Sequence, residues 1–306
     1  MSPGEAGPWT GVGLPPEALH RMREIRESGT WGSALSTSEF AAVRATGFEP
    51  VGQVLGSCVY HLGYTASYQC PGAWMGGTGY TDTGRYAAFG PMVRSLYEAR
   101  RLAVGRMTAE CQALGGDGIV GVRLSIQRFP AGGLEFQAIG TAIRAPGPIR
   151  PRTPFASHVT GQEFAKLVLN DWIPVALVLG IAIGTRHDDW GTRYATRRWS
   201  GNQEVTGYTD LMNRTRAQAR QELAMDVARF GGDGVVVSDI ELNVSERECP
   251  VMENGRDHIV EATVIGTAIA KFKTTAQPPK TGSLAIMSLD PERRAARRKE
   301  TTQRYL

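Results

Sequence analysis

Cysteine and histidine are scarce in this 306-residue chain, and neither follows a metal-binding or redox pattern. Its four cysteines are scattered and form no CxxC pair, which is typical of a reduced protein rather than a disulfide-stapled one. Its five histidines form no legible Ser/His/Asp or Cys/His constellation with the remaining residues. We therefore expect a protein that is not an enzyme.

Long hydrophobic runs are also missing. The longest apolar stretch, residues 172–184, is too short to cross a bilayer and suits a buried strand. The N-terminus shows no basic segment followed by an apolar one, so it does not read as a secretory signal. These two absences predict a cytoplasmic protein without a transmembrane segment.

Excess charge is confined to one end of the sequence. The chain carries a formal charge of +4, and residues 274–306 alone account for it with seven basic and three acidic groups. The remainder is neutral overall, which argues against nucleic acid as a partner. The basic tail could contact nucleic acid, an anionic membrane or an acidic protein partner, and the default interpretation is a solvated segment.

Matched segments at three successive offsets recur in the same order, which indicates a tandem duplication. The changes of offset between blocks reflect loops of different length. The matched blocks are residues 38–41 with 162–165, 54–56 with 178–180, 114–120 with 230–236 and 139–143 with 265–269.

Each half predicts the same order of elements. A short helix is capped by Ser36 or Thr160 and precedes a Val-rich strand. A long helix, residues 92–114 in the first half, then ends at a Gly-Gly-Asp-Gly turn and is followed by alternating strands. This pattern predicts an α+β fold in which an antiparallel sheet packs on one long helix in each half.

The pattern divides the chain into five regions. We expect an N-terminal lead-in with a short helix, a first copy, a stiff Pro-rich linker, a second copy and a basic tail. Their boundaries are residues 1–35, 36–145, 146–157, 158–273 and 274–306.

The glycine turn and its surroundings resemble a known family. The motif Ala99-Arg100-x-x-Ala103 leading into residues 114–122, followed by Gly-Thr-Ala at 140–142, is similar to the YbjQ-like family, which carries a heavy-metal-binding label. The second half repeats these features at residues 219–220, 231–236 and 266–268. The resemblance implies dodecin-like subunits that form a pentameric ring, either as five chains stacking two layers or as a mixed arrangement of copies. It implies no defined biochemical role.

Metal ligands are present, but no closed set of them is visible in either half. Cys111 lies on the apolar stripe of the long helix, which favours a core position. Glu135 and Glu261 occupy matching positions and could line an interface or a ring lumen. A divalent or soft metal ion is the one cofactor class left open, with six weak candidate ligands: Cys58, His61, Cys70, Glu135, His187 and Glu261.

Aromatic residues and glycines concentrate in the loops before the long helices, where the two halves differ most. Such side chains either pack over a sheet edge or contact partners. The candidate interface residues are Trp74, Tyr80, Trp190, Trp199 and Tyr208. The sequence thus predicts a non-enzymatic, ring-forming scaffold or interaction protein, with metal or small-ligand binding at subunit interfaces as the alternative.

Overall fold

The structure is a computed structural model that describes residues 9–11, 13–61, 80–81 (backbone only), 89–129, 133–197, 199–249 and 255–272. Cys70, Trp74, the side chain of Tyr80 and the tail at residues 274–306 therefore lie outside the described residues. None of the described helices combines the length and the apolar character needed to span a bilayer.

The first sheet and its helices are built from residues 16–156. The helices are α1 (Pro16–Ser28), α2 (Thr37–Ala45) and α3 (Gly90–Ala113). The strands are β1 (Glu49–His61), β3 (Gly118–Phe129), β4 (Gly133–Arg144) and β5 (Phe155–Ala156), in the order β1-β4-β3-β5. The first three strands pair antiparallel, and β5 joins the edge of β3 in parallel.

The second sheet is formed by β2 (Tyr80–Thr81), β6 (Trp172–His187), β8 (Arg256–Lys271) and β7 (Gly234–Glu248), in that order. Its helices are α4 (Gly161–Leu169), α5 (Trp190–Ala195) and α6 (Thr206–Arg229). All of its neighbouring strands pair antiparallel. Strand β7 is the last in this order and therefore lies at an edge of the sheet. The α+β class predicted from the sequence is confirmed.

Both short helices begin as predicted, because a hydroxyl caps each of them. Ser36 and Thr160 accept a hydrogen bond from the N–H of Glu39 and Glu163, and each glutamate returns a bond to the cap residue's N–H. Such reciprocal capping boxes satisfy backbone donors that the first helical turn leaves unpaired. Local sequence is therefore sufficient to place both starts.

The long helices lie on their sheets at one point of very close approach. A Cβ at Gly56 of β1 would overlap the carbonyl oxygen of Ala103, and one at Gly180 of β6 would overlap that of Ala219. The buried stripe of α3 includes Leu96, Met107 and Cys111, which confirms Cys111 as a core residue. Only glycine allows the helix backbone to reach the strand here.

The predicted Pro-rich linker is not wholly a spacer. Its last residues form β5, so Phe155 and Ala156 extend the first sheet instead of merely joining the two halves. The side chains around this contact form one apolar cluster that joins elements of both sheets. Its buried members are Val43, Val120, Ile143, Val159 and Phe164.

Candidate functional site

Polar side chains gather at the end of the second sheet, where β6, β8 and the start of α6 meet. They line a cleft of about 560 Å³. Its wall consists of Asp188, Arg193, Thr196, Arg197, Tyr208, Glu246, Arg256 and His258. One of these residues, Tyr208, is among the candidate interface residues predicted from the sequence.

Tyr208 is the centre of a hydrogen-bonded group in this cleft. Its hydroxyl lies 3.1 Å from both carboxylate oxygens of Asp188 and 2.7 Å from Nε2 of His258. Burial, followed by the charge of Asp188, raises the pKa of Tyr208. The phenol therefore stays protonated at neutral pH, and its O–H donates a hydrogen bond to a neighbouring side chain. This bond holds the rim of the cleft in place.

A second group lies buried behind the cleft. Nδ1 of His187 is 2.7 Å from Oδ1 of Asp257, and both side chains are almost fully buried. Cys249, at the end of β7, is also buried, and one ligand atom from each of the three residues lies within 4.8 Å of the others. His187, Cys249 and Asp257 will be called the His–Cys–Asp cluster.

The His–Cys–Asp cluster has the chemistry of a transition-metal site. Imidazole nitrogen, thiolate sulfur and carboxylate oxygen are the three ligand types that zinc takes in proteins, and three protein ligands leave a fourth position open. A small closing of the cluster would bring all three atoms to bonding distance of one ion. These residues could therefore hold a zinc ion within a single chain.

Zinc should raise the melting temperature of chelator-treated protein, because an ion that binds only the folded chain stabilises it. At a hundredfold excess over the dissociation constant the gain is about 2.7 kcal/mol. Cys249→Ala should lose this rise, while Cys58→Ala, which removes a buried cysteine outside the cluster, should keep it. Differential scanning fluorimetry with each variant referred to its own metal-free state makes the comparison. An equal response in both variants would contradict the assignment.

The other described metal candidates belong to no group of three possible ligands. Cys58 is buried and its thiol donates to the carbonyl of Ala99 at 3.1 Å, and burial raises the pKa of that thiol. His61 is exposed at the end of β1. Among the residues that the structure describes, His187 is the only predicted candidate in a three-ligand cluster, and sequence reasoning missed its partners Cys249 and Asp257.

Glu135 and Glu261 have different surroundings despite their matching positions. Burial raises the pKa of Glu261, and the nearby charge of Arg100 partly opposes that rise. Arg100 lies on α3 and is itself buried, so this electrostatic pair links the first half to the second. Glu135 is half-buried on β4 and forms no ion pair with another described residue.

Two of the predicted interface tryptophans are strongly exposed. Trp190 is 75% exposed and stacks on Tyr194 with ring centroids 5.5 Å apart, whereas Trp199 is 94% exposed. Both lie in or just after the short helix α5. Their exposure leaves them available for a contact outside the described part of the chain.

Comparison with known proteins gives the chain relatives along most of its length. A family model described as "Putative heavy-metal-binding" matches residues 83–146. The His–Cys–Asp cluster lies outside that segment, and the described part of the segment contains no comparable group. A UPF0145 protein of Clostridium perfringens is 46% identical over 48 residues, which cover 16% of this chain and 45% of that protein.

A longer relationship links the chain to the encapsulin nanocompartment protein Rv1762c of Mycobacterium tuberculosis. The two are 32% identical over 270 residues, or 84% of this chain and 92% of the relative. A match of this length takes in residues of both halves of the chain. The chain belongs to the family of this encapsulin nanocompartment protein.

Proposed function

We propose that the chain is a non-enzymatic scaffold protein that assembles with further copies of itself, built from two copies of one YbjQ-like domain. The observation that carries this proposal is the edge of the second sheet at β7, which no other described strand covers. Strand β7 exposes the large apolar side chains of Val235, Val237, Ile240 and Val244. An exposed, apolar edge strand is a site at which another chain adds.

The two proposed copies of the domain are residues 36–145 and 158–273. Their support is the agreement of specific contacts, including the two capping boxes and the two glycines under the long helices. Strands β3 and β7 each begin after the glycine turn, and each carries a register shift at its third or fourth residue pair. A duplicated domain explains why these details recur together.

The printed name of the relative places that protein with an encapsulin nanocompartment. Transferred to this chain, it favours a structural role in a large assembly over catalysis. We propose a closed ring in the cytoplasm as the form of the assembly, with a protein partner at the exposed tryptophans of α5 or at the basic tail.

Purified protein should be oligomeric at micromolar concentration. An edge strand of apolar residues that is covered by another chain gains about 25 cal/mol for each Å² of apolar surface removed from water. Mass photometry across a dilution series measures the mass distribution. A clean monomer at every concentration would contradict the scaffold proposal.

Metal binding is a second candidate function, and the His–Cys–Asp cluster is the observation that favours it. The cluster would place the ion inside one chain. Zinc bound there would tie the end of β6 to the hairpin of β7 and β8, and so stabilise the wall of the cleft.

A further inference from the structure

The contact that joins the two halves of the chain also predicts how one chain joins the next. Residues 155–159 run along the edge of β3, where Phe155 pairs with Gly118 and Ala156 with Ile119. The N–H of Ser157 donates to the carbonyl of Ile119, and the N–H of Val122 donates to the carbonyl of Ser157, both at 2.9 Å. We call residues 155–159 the second lead-in segment.

Residues 31–35, the first lead-in segment, have the same local structure. Oγ of Ser33 lies 3.3 Å from Oγ1 of Thr141, as Oγ of Ser157 lies 3.2 Å from Oγ1 of Thr267. In both segments the next residue's N–H donates to that threonine. The first lead-in segment is therefore held ready in the conformation that pairs with a strand.

The aromatic residue that begins each lead-in segment also makes the same contact in both halves. The rings of Trp31 and Phe40 stack with centroids 6.1 Å apart, and those of Phe155 and Phe164 stack at the same separation. The two lead-in segments differ in how far a neighbouring strand buries them. Gly32 is exposed, whereas Ala156, at the matching position, is buried against β3.

Among the described residues, strand β7 lacks the neighbouring segment that covers β3. Val235 is 38% exposed, while Ile119, which matches it on β3, is fully buried beneath the second lead-in segment. A Cβ at Gly118 would overlap the Phe155 ring, so that glycine makes the seat for an aromatic side chain. At the matching Gly234, a Cβ would meet no described residue but Ile269, whose side chain lies at 3.6 Å, so no described aromatic ring occupies this position.

We propose that the first lead-in segment of one chain pairs in parallel with β7 of a second copy of this chain. Trp31 then sits over Gly234, and Gly32 lies opposite Val235. The N–H of Ser33 donates to the carbonyl of Val235, and the N–H of Ser238 donates to the carbonyl of Ser33. This inference rests on the proposed self-assembly and identifies its interface.

Charge complementarity supports the same arrangement. Inside the chain, Arg100 of α3 faces Glu261 across the boundary between halves. The matching residues are Arg216 on α6 and Glu135 on β4, which form no ion pair with other described residues. Repeating the boundary between chains brings Arg216 of one copy toward Glu135 of the next.

One hydrogen bond does not carry over. Gly121, with φ of +63°, donates to the carbonyl of Val159 at 2.8 Å. Val237 occupies the matching position, and a β-branched residue disfavours positive φ. The contact between chains therefore keeps the two backbone bonds at Ser33 and loses the bond that corresponds to that of Gly121.

The assembly that results is head-to-tail, because each chain offers one first lead-in segment and one β7 edge that no other described strand covers. Repetition closes into a ring when the rotation per chain allows it. The β3 edge is already filled by the chain's own second lead-in segment, so a layer made only of first halves cannot use this contact. A ring built through it alternates first and second halves.

Cysteine cross-linking tests the pairing. Gly32→Cys and Val235→Cys are placed in separate full-length chains that both carry Cys70→Ser, and the two chains are mixed and oxidised. Opposed positions on paired strands meet the distance requirement of a disulfide. We expect a covalent dimer only in the mixture. The matched control replaces Val235→Cys with Val244→Cys, about 30 Å further along the same strand, and should not cross-link.

The outcomes separate this inference from the scaffold proposal. Oligomers that form without the 32–235 cross-link, or with an equal 32–244 cross-link, would overturn the interface and leave self-assembly standing. Chains that stay monomeric would overturn both.

Charge reversal gives an independent readout on the same interface. Arg216→Glu alone and Glu135→Arg alone should each shift assembly to at least tenfold higher concentration in mass photometry. The two changes combined in one chain should restore it, because the pair meets again with its signs exchanged. Failure of the double variant to recover any assembly lost by the single ones would count against the arrangement.

Discussion

Gly180→Val is expected to lower the free energy of unfolding by about 3 kcal/mol or more, since overpacking on this scale forces the backbone to move. A Cβ at this position would overlap the carbonyl oxygen of Ala219 and lie 2.9 Å from the amide nitrogen of Leu223. Both atoms belong to the backbone of α6, so no side chain can rotate to relieve the overlap. The helix must rise from β6 and expose the core beneath it.

Gly105→Ala is the matched control. Gly105 lies on an exposed turn of α3, where an added Cβ meets nothing within 4 Å. Alanine should stabilise the helix there by about 0.5–1 kcal/mol, because it reduces the freedom of the unfolded chain. Urea denaturation followed by circular dichroism measures both variants. A Gly180→Val protein as stable as the unmodified chain would contradict the close approach of helix and strand.

Sequence predicted the elements well because their signals are local. Ser36 and Thr160 announce helix starts three residues ahead of Glu39 and Glu163, and both capping boxes form. The helix predicted at residues 92–114 begins slightly earlier, at Gly90, because Pro91 suits the first helical turn. Signals within a few residues need no knowledge of the partner strand.

The candidate site could not be found in the same way. His187 is the last residue of β6. Cys249 and Asp257 lie on the two sides of the loop that connects β7 to β8. They meet because the antiparallel register pairs His187 with Asp257. Register over a long strand depends on all of its pairs together, so spacing along the chain gave no sign of the cluster. The same limit applies to Gly56 and Gly180, which only the helix position distinguishes from other glycines.

Gly118→Leu carries the second large effect, at the joint between the two halves. The new side chain would occupy the place of the Phe155 ring, which must leave its position against Phe164. Phe155 is partly buried, so exposing it costs up to about 1.5–3 kcal/mol, and the parallel pairing of β5 is lost with it. We expect a lower unfolding midpoint and rapid tryptic cleavage after Arg152, which lies just before the released segment.

Gly234→Leu is the counterpart that isolates the contact between chains from the contact within one. The substitution has the same chemistry at the matching position of β7, but the described chain places only Ile269 beside it. Its free energy of unfolding, measured on the dissociated chain, should change by no more than about 0.5 kcal/mol, because the added Cβ makes only ordinary contact with Ile269. Its assembly should fail because Trp31 of the next copy cannot be seated. Since Gly118→Leu damages folding and Gly234→Leu damages only association, the pair distinguishes a glycine that the single chain uses from one whose partner comes from outside. Equal assembly by Gly234→Leu and the unmodified chain would remove Trp31 from the interface.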